Sequence, residues 1–347
     1  MGKKLWLALG CIFLCICWTT TASANIGQAN SRRLREAKRI KRTLHLSDAN
    51  AIVMISNRSG DEQPMTVRNR SWEVHRQDQL ITPHRLYPIA SLQKVFTGLL
   101  TQRLVQQQRL SLQSRLDRYY PTVPFASQIT VERLMTHTSG CADVKSARRH
   151  YLPTEADQMH YVLRHVKVKD SFSWHYSNAD FAFLSGIISR ISGKPYHQVL
   201  RQQLWQPLGL HMKFYNEVGP GQVVRAVHPA MPTWRTIRDD MGATPGSAEV
   251  FSSPADYWKF LNWLSSGSPS PLSRLMAHTH QPIPYYGGIY NYHGLVHANG
   301  YVDGYFCTFY VHHHERMLLM TDNLSFIHAE SLSNHIFHDI FPKNHRH

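Results

Sequence analysis

The residues of this chain best suited to chemistry are a serine and a lysine spaced three positions apart. Ser91 and Lys94 bound the stretch SLQK (91–94), which follows PIA (88–90) and is predicted to open a helix. Residues three apart on a helix share one face, so the Lys94 amine can reach the Ser91 hydroxyl. A serine hydroxyl needs a base to take its proton, and a lysine serves when burial or another positive charge lowers its pKa. The spacing therefore predicts an activated serine, with helix N-terminal N–H groups placed to hold an oxyanion.

A tyrosine and an asparagine farther along the chain can complete such a site. Tyr176 and Asn178 follow the polar and aromatic stretch 171–175 and precede a predicted helix. A phenol on a loop can relay a proton between the nucleophile and a leaving group. An amide two residues on can hold a substrate carbonyl or orient the lysine. Because a serine and a lysine at this spacing are common by chance, the prediction depends on all four side chains meeting in one cleft.

The elements that must position these residues are strands at both ends of the chain with helices between them. We predict strands at 51–56, 65–67, 285–290, 294–297, 301–312 and 316–321, and helices at 91–108, 180–191, 196–204, 254–265 and 329–340. Such an order indicates one α/β domain whose sheet is completed by distant parts of the chain.

Composition and charge bound the class of protein. The 347 residues are 42% hydrophobic and include 8 Trp, 16 Tyr and 14 Phe, which excludes a disordered chain. Lys and Arg number 38 against 23 Asp and Glu, for a formal charge of +15, and 23 His can add to it in acid. Such a surface attracts polyanions.

The N-terminus predicts export and so argues against nucleic acid as the polyanion. Lys3 and Lys4 precede the apolar stretch Leu5–Trp18, and Ala22-Ser23-Ala24 supplies small residues before a cleavage site. Residues 1–24 are therefore predicted to be a signal peptide, with an uncleaved anchor as the alternative. Either way the protein is expected outside the cytoplasm, associated with the cell envelope.

A basic segment follows the leader. Residues 31–43 hold seven basic residues and one acidic residue, and apolar residues recur at helical spacing through Leu44. Residues 25–45 are predicted to be a basic amphipathic linker, which either tethers the protein to anionic lipid or wall polymer or is simply solvated. Residues 46–347 are predicted to form the domain.

Cysteines and histidines give no sign of a cofactor. Only Cys141 and Cys307 lie outside the leader, and two buried free thiols are the favoured interpretation over a disulfide. The run His312–Glu315 predicts a polar hairpin turn rather than a metal site, because adjacent residues of a strand point to opposite faces. We expect no metal and no cofactor.

Several stretches, taken together, resemble a known family. They are LYPIASLQK (86–94), VERLMTHTSG (131–140), the stretch from Tyr176-Ser177-Asn178 to Gly186, LWQPLGL (204–210) and 246–260. In this order they are similar to the serine hydrolases that include class C β-lactamases, low-molecular-weight penicillin-binding proteins (D-alanyl-D-alanine carboxypeptidases) and related D-alanyl esterases.

The resemblance implies both a fold and a set of roles. The fold is an α/β/α sandwich with a central antiparallel sheet and an all-helical lobe, and the active site is the cleft between them. Ser91 would be the acyl-accepting nucleophile, Lys94 its base and Tyr176 the proton shuttle. Asn178 would bind substrate and orient the lysine, and the Ser91 N–H would form half of the oxyanion hole.

The third motif of that family departs from its pattern here. Aligning Gly300 and Gly304 with the family's two glycines places Ala298 where a lysine or histidine belongs. His297, the neighbour, points to the opposite face of a regular strand, although a bulge would return it to the cleft. We predict His297, Asn299, Gly300 and Tyr301 as substrate-binding residues, with the backbone N–H of Tyr301 as the second oxyanion donor.

This departure bears on the substrate. A β-lactam or a D-Ala-D-Ala terminus presents a carboxylate, which the cation that is missing at position 298 would bind. An ester-linked D-alanine on teichoic acid presents an ammonium group instead. The sequence therefore leaves two activities in competition, a carboxypeptidase acting on the peptidoglycan stem peptide and a D-alanyl esterase acting on an anionic wall polymer. A non-hydrolytic penicillin- or wall-polymer-binding protein that keeps the fold is the alternative.

Overall fold

An antiparallel sheet of seven strands joins the two ends of the domain. The structure is a computed structural model that describes residues 31–56, 63–142, 151–227, 233–280 and 282–341. Its strands are β1 (Ala51–Ile55), β2 (Met65–Asn69), β3 (Tyr87–Pro88), β4 (Cys141–Ala142), β5 (Lys167–Val168), β6 (Lys213–Phe214), β7 (Val250–Ser252), β8 (Tyr285–Tyr286), β9 (Ile289–Tyr292), β10 (Leu295–Val302), β11 (Tyr305–His312) and β12 (Glu315–Thr321). The large sheet has the order β2-β1-β12-β11-β10-β9-β8, so an N-terminal strand closes against the last strand of the chain.

Helices cover both faces of this sheet. They are α1 (31–46), α2 (Lys94–Gln106), α3 (Val131–Met135), α4 (Glu155–His165), α5 (Asn178–Ser192), α6 (Tyr196–Leu200), α7 (Trp234–Met241), α8 (Pro254–Leu264), α9 (Pro271–Met276) and α10 (Phe326–Ile340). Both faces of β1 are buried: Ile52 and Met54 join the core on the side of α2 and α8, whereas Val53 packs on the side of α1 and α10. A second group of helices, α3 to α6, packs around α5. The α/β/α sandwich with a helical lobe is thus confirmed.

The first helix is anchored to the sheet on one side only. Ile40 and Leu44 of α1 are buried in the core beneath α10, at 1% and 0% exposure. The basic side chains of Arg35, Lys38 and Arg42 stay exposed on the other side. Residues 31–45, predicted as a linker, are therefore packed against the domain. The predicted leader, residues 1–24, lies outside the described residues, and no described helix is long and apolar enough to cross a membrane.

Several predicted elements differ from the observed ones, among them the strand at 285–290, which a turn at Gly287 and Gly288 divides into β8 and β9. The predicted helix at 91–108 begins later, because Ala90–Gln93 form a 3₁₀ turn and α2 starts at Lys94. The predicted strand at 301–312 is divided by a turn, since Asp303 and Gly304 take φ values of 47° and 90°. Positive φ at both positions is what a two-residue hairpin turn requires. The two cysteines are free and buried, as predicted, and residues 313–314 form the predicted turn between β11 and β12.

Candidate active site

The turn that carries Ser91 is held by short strands on one side and by β10 on the other. β3 pairs with β7, and the Ile89 N–H donates to the Val250 carbonyl at 3.1 Å. Ala90 has φ +44°, an uncommon conformation for a residue with a side chain, and such strain persists only where the surroundings enforce it. Ser91 itself is half-buried at the point where α2 begins.

The structure brings the four predicted polar side chains together. Lys94 Nζ lies 3.0 Å from Ser91 Oγ and 2.6 Å from Asn178 Oδ1, and the Tyr176 hydroxyl donates to Ser91 Oγ at 2.8 Å. Two distant segments converge here: the turn that leads into α2, and the loop before α5 together with the first residue of α5. Ser91 Oγ therefore lies between an amine and a phenol, with the amide oxygen of Asn178 against the amine.

The lysine is almost fully enclosed. Lys94 is 1% exposed, and its Nζ lies 5.0 Å from the centre of the Tyr176 ring. The carbonyl of Ser247 accepts a further hydrogen bond from Nζ at 3.2 Å. Ser247 lies on the loop before β7, within the stretch 246–260 that resembles the family but to which the sequence assigns no role in the site.

A buried histidine and aspartate support the tyrosine loop. His137 Nδ1 donates to Asp180 Oδ2 at 2.7 Å, and its ring lies 4.5 Å from the Tyr176 ring. The His175 N–H donates to the His137 carbonyl at 2.8 Å. Burial, followed by the positive charge of Lys94, holds the pKa of His137 well below its usual range, so the ring is neutral. Sequence reasoning missed Asp180, although an aspartate within the apolar start of α5 is a signal of a paired buried group.

The third motif is corrected by the structure. β10 pairs with β11 in regular register from Val296 to Val302, without a bulge, so His297 stays on the face opposite to that of Ala298. The His297 ring stacks between Tyr290 and Tyr310 at 5.0 and 5.6 Å. The His297 side chain therefore does not line the cleft.

The neighbours of His297 follow the same alternation. Asn299 and Tyr301 share the face of His297, and the Tyr301 ring lies 5.9 Å from Phe326 of α10. Their side chains thus lie on the face of β10 opposite to Ala298 and Gly300, and a substrate-binding role for the two residues stays a prediction. Ala298, 1% exposed, lies on the cleft side and offers no cation.

The backbone of β10 does reach the site. A Cβ on Gly300 would lie 3.0 Å from Ser91 N, so only glycine allows this close approach. On its outer edge β10 pairs with β9 through Leu295–His297 alone, and in the described part of the chain no strand pairs with that edge at 298–302. This open edge beside Ser91 can receive an extended acyl group. The oxyanion role of the Tyr301 N–H stays a prediction.

No metal centre accompanies these residues. Within the described ranges, His, Cys, Asp and Glu side chains form no group of three that could hold a metal ion. The chemistry available to the site is that of a hydroxyl flanked by an amine and a phenol, with a strand edge alongside.

Comparison with known proteins agrees with this geometry. The chain is 31% identical over 193 residues to the D-alanyl-D-alanine-carboxypeptidase/endopeptidase AmpH of Escherichia coli K12, covering 51% of this chain and 49% of that protein. It is 27% identical over 139 residues to the teichoic acid D-alanine hydrolase of Staphylococcus aureus, covering 39% of this chain and 34% of that protein. The chain thus spans half or less of the length of these curated relatives.

A solved structure shares the fold. The D-amino acid amidase of Ochrobactrum anthropi SV3, complexed with L-phenylalanine amide, superposes with a TM-score of 0.74 at 19% identity, covering 90% of this chain and 97% of that one. The profile of the family described as Beta-lactamase matches residues 51–309, a range that includes Ser91, Lys94, Tyr176 and Gly300. This chain therefore belongs to the beta-lactamase family.

Proposed function

We propose that this protein is an exported serine hydrolase of the bacterial cell envelope that works through an acyl-enzyme on Ser91. The observation that carries the proposal is the position of Ser91 Oγ, 3.0 Å from the Lys94 amine and 2.8 Å from the Tyr176 hydroxyl. Membership of the beta-lactamase family supports it.

The hydrogen bonds around Lys94 suit it to act as the base. A neutral amine has two N–H bonds and one lone pair. When the amine is neutral, Asn178 Oδ1 and the Ser247 carbonyl, at 2.6 and 3.2 Å, can accept its two N–H bonds, so that its lone pair can take the Ser91 proton. In acylation, Ser91 Oγ gives its proton to Lys94 and bonds to the acyl carbon of the substrate, and the bond to the leaving group breaks.

Tyr176 is placed to donate a proton to the leaving group. Its hydroxyl contacts Ser91 Oγ, which bonds to the acyl carbon from which the leaving group departs, so it can pass a proton to that group. In deacylation the same groups act in reverse: water gives a proton to Tyr176 and attacks the ester carbon, the bond to Ser91 Oγ breaks, and Lys94 returns a proton to Ser91 Oγ. The Ser91 and Tyr301 N–H groups are the proposed oxyanion donors.

The substrate is proposed to be a D-alanyl group of the cell wall. Ala298 supplies no cation for a substrate carboxylate, which favours a D-alanyl ester of teichoic acid over a D-Ala-D-Ala stem peptide or a β-lactam. The names of the relatives, a D-alanyl-D-alanine-carboxypeptidase and a teichoic acid D-alanine hydrolase, support the two competing activities. The esterase is the one that the third motif favours.

A probe for activated serines tests the proposal. Wild-type protein is expected to be labelled by a fluorophosphonate, and Ser91→Ala is expected to remain unlabelled. Release of D-alanine from purified lipoteichoic acid but not from muropeptides would identify the esterase, and the reverse would identify the carboxypeptidase. Retention of wall polymer without Ser91-dependent labelling or release would instead favour the non-hydrolytic binding protein.

A contact with an anionic envelope surface is proposed for α1. Its exposed basic side chains, among them Arg35, Lys38 and Arg42, face away from the core. At the end of the helix Leu46 is 75% exposed, and Trp72, which lies 5.9 Å from the His45 ring, is 69% exposed. Exposed apolar side chains beside basic ones favour a lipid surface over a hydrated wall polymer.

Vesicle binding tests this contact. Replacing Arg35, Lys38 and Arg42 with Gln is expected to weaken binding to phosphatidylglycerol vesicles in low salt. Replacing the exposed residues Arg118, Arg164 and Lys194 removes the same charge from elsewhere and should leave binding unchanged. Equal binding by both triple variants would contradict a role for α1. Mass spectrometry of the exported protein tests whether residues 1–24 are a cleaved leader.

A further inference from the structure

A buried carboxylate lies behind the candidate active site. Glu249 is 0% exposed. Its two oxygens accept four hydrogen bonds, from Gly246 N at 2.7 Å, Gln93 Nε2 at 3.1 Å, His197 Nε2 at 2.9 Å and Gln158 Nε2 at 3.1 Å. A buried carboxylate is strongly unfavourable unless it is paired and fully hydrogen-bonded. What these four bonds hold in place is therefore informative.

Two of the four bonds are donated by residues that directly precede active-site residues in the sequence. Gln93 precedes Lys94, and it both donates to Glu249 and accepts from the Glu249 N–H, the latter at 2.5 Å. Gly246 precedes Ser247, the residue whose carbonyl accepts from Lys94 Nζ. Glu249 therefore fixes the backbone from which Lys94 extends and also one acceptor of its amine.

The third bond supplies the counter-charge. His197 lies between two carboxylates, with Nε2 2.9 Å from Glu249 and Nδ1 3.4 Å from Glu155, and Glu217 adds a third negative charge nearby. Burial lowers the pKa of His197, but the charges of Glu249 and then Glu155 outweigh it, so the net shift is upward. Burial likewise opposes ionisation of Glu249, yet His197 and the hydrogen bonds hold its pKa below the usual value. Each partner therefore favours the charged form of the other.

Glu155 is the second carboxylate beside His197, but it does not contact the turn that carries Ser91. It accepts from the backbone N–H groups of Tyr196 and His197 at 2.7 and 2.9 Å, and so caps α6. Neither Gln93 nor the loop before β7 is among these contacts. Glu155, which is half-buried, and Glu249, which is buried, thus share His197, but only Glu249 is connected to Lys94.

We infer that Glu249, paired with His197, is a positioning residue that fixes Gln93 and the Ser247 carbonyl so that the Lys94 amine meets the Ser91 hydroxyl. This inference rests on the proposed function. Misplacement of a reacting group by about 1 Å costs on the order of 10²-fold in rate. Glu249→Gln keeps the shape of the side chain but turns one hydrogen-bond acceptor into a donor. It is therefore expected to slow acylation of Ser91 by roughly 10–100-fold, with little change in the probe concentration that gives half of the maximal rate.

The pH dependence separates positioning from loss of folding. Glu249 and His197 titrate as a pair, because each favours the charged form of the other. Glu249→Gln should therefore show a lower plateau of the acylation rate and should lose the part of the pH dependence that comes from titration of this pair. A destabilised protein with an unaltered site would keep the wild-type pH profile.

Fluorophosphonate acylation followed over time in the full chain tests the inference. Glu155→Gln is the matched control and is expected to acylate within about threefold of wild type, because it touches neither Gln93 nor Ser247. Should Glu249→Gln fail to fold, Gln93→Met removes the same clamp from the other side and is expected to show the same slow acylation. Wild-type rates and pH profile in the folded variants would overturn the inference. Absence of Ser91-dependent labelling in wild type would instead overturn the proposed function.

Discussion

Gly300 of β10 lies against the backbone that carries Ser91. A Cβ at position 300 would lie 3.0 Å from Ser91 N and 2.2 Å from the carbonyl oxygen of the preceding Ile89. Both neighbours are backbone atoms of a turn held by β7, so neither can move aside cheaply. The distance between the strand edge and the nucleophile is therefore set by the absence of a side chain at this one residue.

Gly300→Ala is expected to push β10 away from the nucleophile. The overpacking should cost about 1–3 kcal/mol of stability, and widening the site should slow Ser91 acylation by roughly 10²-fold. Urea unfolding and time-resolved probe labelling measure the two effects. Gly221→Ala is the control, because a Cβ there meets nothing within 4 Å. Acylation at the wild-type rate in Gly300→Ala would show that the close approach does not shape the site.

Lys94→Met is expected to remove the base while keeping the core filled. Lys94 is 1% exposed, and methionine has a similar length without a polar end. Acylation should fall by roughly 10²–10⁴-fold, the usual range for a proton-transfer group. Labelling by a fluorophosphonate across a pH series measures it, with Lys259→Met, on α8, as the matched control. A wild-type rate in Lys94→Met would leave Tyr176 as the base.

Sequence analysis located the groups whose spacing is local and missed those that only the fold brings near. Ser91 and Lys94 are three apart, and Tyr176 and Asn178 are two apart, so each pair has a signature in the sequence. Ser247 and Glu249 come from a loop about 150 residues away and act through a carbonyl and a buried acid, for which no spacing rule exists. Both lie in the stretch 246–260 that resembles the family, but that resemblance assigns no role to either side chain.

The remaining errors concern conformation rather than composition. The alternation of a regular strand predicts that His297 points away from the cleft, and only a bulge in β10 would return its side chain there. The regular pairing of β10 with β11 from Val296 to Val302 shows that β10 has no bulge there. This pairing depends on the sequence of β11 as much as on that of β10. The 3₁₀ turn at Ala90–Gln93 was missed because the constraint that imposes it comes from β3 and β7.

Ala298→Lys is expected to change the substrate preference. A cation on the cleft side of β10 would attract a substrate carboxylate and repel the ammonium of a D-alanyl ester. Labelling by fluorescent penicillin should increase, and release of D-alanine from lipoteichoic acid should decrease. Each change should be roughly tenfold, which corresponds to about 1.4 kcal/mol of binding free energy. Asn299→Lys places the same charge on the opposite face and should leave both unchanged. Equal effects of the two variants would mean that net charge, not position, is responsible.

His297→Phe is expected to make the protein less sensitive to acid. Burial lowers the pKa of His297 to about 4, against a usual value of about 6.5, so the folded state prefers the neutral ring. As the pH falls below 6.5 the unfolded chain takes up a proton first, and stability should decline by about 3 kcal/mol by pH 4. Phenylalanine can keep the stack with Tyr290 and Tyr310 but cannot titrate.

Urea unfolding at pH 7.5 and pH 5 measures the loss of stability in acid, which should be smaller in His297→Phe than in wild type. Tyr290→Phe alters the same stack without removing the histidine, and it should retain the full loss in acid. If instead His297→Phe and wild type lose equal stability between these pH values, the ring is not held neutral by its burial between the two tyrosines.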